Sequence, residues 1–101
     1  MDNQFTVLKR EEVSAKNQHV FDEIKSVFGA VPNLYSTLAY SENALEAYFK
    51  LETSKTSLNT KEAEAVNLVV SEVNRCMYCL SAHTMIAKQS GFTEEQTFEI
   101  R

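Results

Sequence analysis

Apolar residues recur at three- and four-residue intervals along most of this chain, and each run ends at a residue that stops helices. From Arg10 to Phe28 they are Val13, Val20, Phe21, Ile24, Val27 and Phe28, and Gly29 stands where a left-handed C-cap belongs. After Pro32, which suits the first turn of a helix, "NLYSTLAY" reads as a short helix. Ser41 can cap a longer one to about Thr53 that buries Leu45, Tyr48, Phe49 and Leu51, the two forming a hairpin. Thr60 opens the next, which runs to about Asn74 with Glu62 and Glu64 in its early turns, where the macrodipole favours carboxylates. Residues 76–90 carry Met77, Leu80, Ala82, Met85, Ile86 and Ala87 and stop at Gly91, which predicts a helix beginning at or just before Cys76. "TEEQ" from Thr93 has the capping-box form and opens a last helix towards Arg101.

Only two glycines and one proline punctuate the 101 residues, within "FGAVPN" and "SGFT"; the remaining breaks are "SLNT" and "NRC". The expectation is all-α, five to six helices in a single domain over residues 1–101. Val66, Leu68, Val69, Val70 and Val73 would also suit a strand. The length of that segment and the lack of a second strand candidate favour a helix that is apolar almost all round and therefore buried.

Charge and length exclude several function classes. A net charge of −4 leaves no basic face to neutralise phosphates, which argues against a nucleic-acid partner. No stretch approaches the ~18 uninterrupted apolar residues of a membrane span, and the N-terminus has no apolar core of a signal peptide, so the reading is cytoplasmic. Two cysteines are too few for a disulfide scaffold, and in a reducing compartment a close pair points to redox or metal chemistry.

The stretch "EAVNLVVSEVNRCMYCLSAHT" concentrates that chemistry. Cys76, Cys79 and His83 are separated by three and four residues and so project from one helix face. Thiols one turn apart can close a disulfide with little backbone movement, and a helix N-terminus favours the thiolate. On the preceding helix Glu64, Asn67 and Ser71 form a polar line at the same spacings. Antiparallel packing through the turn at Asn74-Arg75 would bring Glu64 level with His83, where a carboxylate holds an imidazole in one tautomer and the imidazole takes a thiol proton. Asn67 and Ser71 read as ordinary helix hydrogen-bonders, His19 as solvated or capping, and Met77 and Met85 as core filler.

Three alternatives stand beside the relay. The cysteines can be inert buried thiols, or the module can sense redox state without turnover. Zinc is the third, with Cys76, Cys79 and His83 as ligands, although Glu64 would be an awkward fourth. The helix before Cys76 argues against a thioredoxin-like setting, which needs a strand there.

Glu64, eleven intervening residues, Cys76-x-x-Cys79, three residues and His83 resemble the core motif of the AhpD-like alkylhydroperoxidase family, within the carboxymuconolactone decarboxylase superfamily. "GAVPNLYSTLAYSENALEAYFKL" is similar to the upstream helices of its peroxidase-related branch, and the cysteine pair favours that redox branch. The resemblance implies an AhpD-like helical bundle that lacks the family's C-terminal helices, the chain then being the N-terminal part of a longer one. It implies a cofactor-free peroxidase acting on small hydroperoxides. Cys79 would attack the O–O bond, Cys76 would resolve the sulfenic acid as a disulfide, and Glu64 with His83 would form the relay. An external dithiol, in the family a lipoylated protein, would reopen the disulfide, and the protein would assemble as a trimer or hexamer. The residues themselves leave the attacking thiol open: the helix N-terminus favours Cys76, whereas the one-turn spacing to His83 favours Cys79. Tyr78 stands where some relatives carry a further relay histidine.

Overall fold

The computed structural model describes residues 6–101, and the secondary structure among them is helical, with no strand. Six α-helices follow one another: α1 Ala15–Phe28, α2 Asn33–Leu38, α3 Ala44–Thr53, α4 Thr60–Val73, α5 Met77–Gln89 and α6 Glu94–Ile100. The chain falls into two compact units that divide between Ser54 and Lys55.

The first unit holds α1, α2 and α3. The helix expected from Arg10 starts later. Residues Arg10–Glu12 form a separate 3-10 turn, Val13 is extended, and the Ser14 hydroxyl accepts the Asn17 N–H at 3.1 Å to cap α1. The polar cap decides the start because it satisfies an amide that the apolar pattern ignores. At the other end Gly29 adopts φ 82°, the left-handed C-cap expected of it. Pro32 precedes α2 as its N-cap rather than lying inside its first turn, and α2 stops at Leu38. Ser41 likewise sits outside α3, its hydroxyl accepting the Ala44 N–H at 3.2 Å.

Val20, Phe21 and Ile24 of α1 pack with Tyr35 and Ala39 and with Leu45 and Phe49 of α3. Tyr35 lies at the centre, edge-on to Phe49 with ring centroids 5.9 Å apart. Fully buried side chains such as Ile24 and Leu45 each contribute about 1.5–3 kcal/mol, offset by the entropy of ordering them. Buried Asn17 donates through Nδ2 to the Ala39 carbonyl at 3.1 Å and the Ser41 carbonyl at 3.3 Å, holding the end of α2 against α1. Leu51, expected inside, is 70% exposed, and Tyr48 is only partly buried. His19 is exposed and paired with Glu23, in keeping with a solvated side chain.

The second unit is a three-helix arrangement in which α4, α5 and α6 pack pairwise. Leu68, Leu80 and Ala87 are its buried apolar residues. The expectation of an all-round buried α4 does not hold: Val66, Val69, Val70 and Val73 are exposed, as are the supposed core fillers Met77 and Met85. The residues of α4 that turn inward are Glu64, Leu68 and Ser71. A helix within a three-helix unit has neighbours on one side only, so hydropathy that is high all round cannot be buried all round. α4 starts at Thr60 and the capping box between Thr93 and Gln96 opens α6, as the sequence predicts, whereas the capping box between Asn59 and Glu62 that starts α4 is an addition from the structure. Among the described residues no helix is long and apolar enough to cross a membrane.

Candidate active site

All four residues singled out from the sequence lie on α4, α5 and the link between them. That link is the local structure on which the site depends. At the end of α4 the Arg75 N–H donates to the Glu72 carbonyl and the Cys76 N–H to the Ser71 carbonyl, each at 3.1 Å, with Arg75 at φ 52°. This is the paired-bond reversal that usually carries glycine at the left-handed position, and here an arginine occupies it. Two residues later the chain is helical again, so α5 returns beside α4.

Cys76 is therefore the N-cap of α5 and not its first helical residue, as the expected start would have had it; its backbone is extended and its Sγ accepts the Cys79 N–H at 3.1 Å. Sulfur here occupies the place of a capping hydroxyl, at the positive end of the helix. Cys76 and Cys79 are joined as a disulfide, with Cα atoms 5.2 Å apart. Both cysteines are half-buried, while Tyr78 between them is exposed.

One turn beyond Cys79, His83 points its Nδ1 at Oε2 of Glu64, 2.7 Å away. Glu64 is only 7% exposed. An ionised carboxylate can only accept, so the neutral imidazole paired with it carries its proton on Nδ1 and leaves Nε2 as an acceptor. The other oxygen, Oε1, accepts the Nδ2 hydrogen of Asn67 at 3.2 Å. The Ser71 hydroxyl donates to the Asn67 carbonyl at 2.6 Å and lines the same stripe.

Glu64 and His83 are thus brought together as the antiparallel packing predicts, and Cys76 and Cys79 are in bonding contact. Asn67, read from the sequence as a helix hydrogen-bonder only, turns out to bond the carboxylate itself. Its signal was the three-residue spacing from Glu64, which marked a polar line but not what the line was for. Among the described residues no group of three or more His, Cys, Asp or Glu side chains is placed to hold a metal ion. The chemistry available to the arrangement is two-electron exchange between a dithiol and a disulfide, with an imidazole and carboxylate to move a proton.

No curated protein and no solved structure matches this chain. A family model described as "Carboxymuconolactone decarboxylase family" matches residues 40–101. That span begins just after α2, includes α3 to α6, and takes in Glu64, Cys76, Cys79 and His83 together; the chain belongs to the carboxymuconolactone decarboxylase family.

Proposed function

We propose that the protein is a thiol-dependent peroxidase and disulfide oxidoreductase that reduces small hydroperoxides through Cys76 and Cys79, with Glu64 and His83 as a proton relay. The observation that carries this reading is the 2.7 Å contact between Glu64 Oε2 on α4 and His83 Nδ1 on α5, one turn from the cysteine disulfide at the start of α5. An inert pair of core thiols has no use for a nearly buried carboxylate oriented on an imidazole one turn away.

In the forward direction His83 takes the Cys79 proton on Nε2, directly or through a water. The Cys79 thiolate attacks the distal oxygen of the hydroperoxide, the O–O bond breaks, and the alkoxide leaves with a proton as alcohol. Cys79 is then a sulfenic acid. The Cys76 thiolate attacks its sulfur, forming the disulfide and releasing hydroxide, which leaves as water with a proton. An external dithiol, for which a lipoylated protein is the expected source, exchanges with the disulfide and restores both thiols as it is oxidised. The net reaction converts one hydroperoxide and one dithiol into one alcohol, one water and one disulfide, with no cofactor.

Self-association belongs to the same reading. The second unit buries few apolar residues and exposes Val66, Val69, Val70 and Val73 on one helix, and a unit of this size gains stability when a further copy covers such a surface.

A coupled assay tests the enzyme reading. Reduced protein mixed with a small alkyl hydroperoxide loses two thiols per chain, and dihydrolipoamide restores them with steady turnover. Oxidation without turnover would overturn it and leave a redox-sensing module, a reading favoured by the position of Cys76 as the cap of α5, where its oxidation state bears directly on a helix start.

A further inference from the structure

The two oxygens of Glu64 have different neighbours. Oε2 faces His83 Nδ1 at 2.7 Å on α5, and Oε1 accepts from Asn67 Nδ2 at 3.2 Å on α4 itself. We infer that Asn67 is a positioning residue of the relay: its amide fixes the orientation of the Glu64 carboxylate, which in turn keeps the His83 proton on Nδ1 and Nε2 free to accept. The inference rests on the relay reading and extends it to a residue that acts through Glu64.

A glutamate side chain has several rotatable bonds, and a single contact to His83 leaves the carboxylate free to turn about its own axis. A second bond to the other oxygen removes that freedom. A hydrogen bond to a charged acceptor is stronger than one between neutral groups, and it offsets the entropy that it freezes. Asn67 is well placed to supply it because Asn67 and Glu64 are three residues apart on one helix, so α4 itself brings the two side chains within reach, and the His83 contact decides which oxygen is left for the amide. The neighbouring polar group does not compete, since the Ser71 hydroxyl donates to the Asn67 carbonyl. Asparagine also has low helix propensity, and on an apolar helix an unbonded amide would cost desolvation. Its contact with Glu64 gives the side chain a reason to be there.

The experiment compares the full chain with its Asn67→Leu and Asn67→Ala variants, neither of which can donate and both of which favour helix. The His83 tautomer is read from long-range proton–nitrogen correlations at about pH 8, above the ordinary imidazole range. The wild type is expected to carry its proton on Nδ1, and both variants to show a mixture of tautomers with little change in melting temperature. With hydroperoxide and dihydrolipoamide the variants are expected to lose about tenfold in kcat with KM nearly unchanged, and Asn67→Gln to recover most of it. A wild-type tautomer in both variants would overturn the inference. A tautomer shift in a protein whose wild type shows no turnover would uphold the positioning role and defeat the peroxidase reading instead.

Discussion

The Glu64 carboxylate on α4 and the His83 imidazole on α5 meet at 2.7 Å although they stand nineteen positions apart in the chain. Their contact joins the two helices and orders the imidazole in the same step. Replacing Glu64 by glutamine keeps the shape but replaces one carboxylate oxygen with a donor that cannot accept the Nδ1 proton. Peroxide turnover should fall about 10–100-fold while circular dichroism stays unchanged. Wild-type rates in Glu64→Gln would remove Glu64 from the relay.

Cys76 has two roles that different substitutions separate. Serine at position 76 keeps an N-cap acceptor for the Cys79 N–H, whereas alanine loses it. Both variants should abolish turnover. Measured against the reduced wild type, Cys76→Ala should lose about 1 kcal/mol of stability to urea and Cys76→Ser should lose little. Equal loss in both would mean that the capping contact does not stabilise α5.

The left-handed arginine at the end of α4 is a local cost. Arg75 at φ 52° pays the Cβ penalty that glycine avoids, and both of the reversal's hydrogen bonds are backbone bonds that glycine retains. Arg75→Gly should therefore raise stability by about 0.5–1 kcal/mol, part of the gain being lost to the greater freedom of glycine in the unfolded chain. A lower melting temperature would show that the arginine side chain has a stabilising contact that outweighs the strain.

The first unit should weaken in acid through an identifiable pair. Arg10 donates to both carboxylate oxygens of Asp22, at 2.9 Å each, tying the 3-10 turn to α1. The hydrogen bonds from Arg10 hold the Asp22 carboxyl below the ordinary carboxylate range, with burial opposing and the arginine charge assisting. A carboxyl with a lowered folded pKa stabilises the fold above the ordinary carboxylate range and loses that contribution as the pH falls through its own value. The Asp22→Asn variant should lack this part of the acid-induced loss, and added salt should weaken it in the wild type because both partners are exposed. Acid melting curves of identical slope in the two proteins would exclude the pair as a contributor.

The periodic spacings that make the chain helical are local, and so are the helix ends that side chains determine. Gly29 as a left-handed cap and the boxes at Asn59 and Thr93 depend on residues within one turn of each other. The same locality makes the stripe of Cys76, Cys79 and His83 legible, because helical geometry alone brings residues three and four apart to one face. Hydropathy misjudged α4 because burial depends on how many neighbours a helix acquires: Val73 is as apolar as any core residue and is 75% exposed. The start of α1 was misplaced because the Ser14 cap outweighed a periodic pattern that continues through Val13. The contact of Glu64 with His83 required the reversal at Arg75, an arginine in a glycine's conformation, which turns two helices back upon each other. Asn67 lay in plain view on the polar line, yet its meaning depended on which way the Glu64 carboxylate was turned. Residue spacing along a helix is a property of the chain, whereas the partner of a side chain's second oxygen is decided only when another helix has occupied the first.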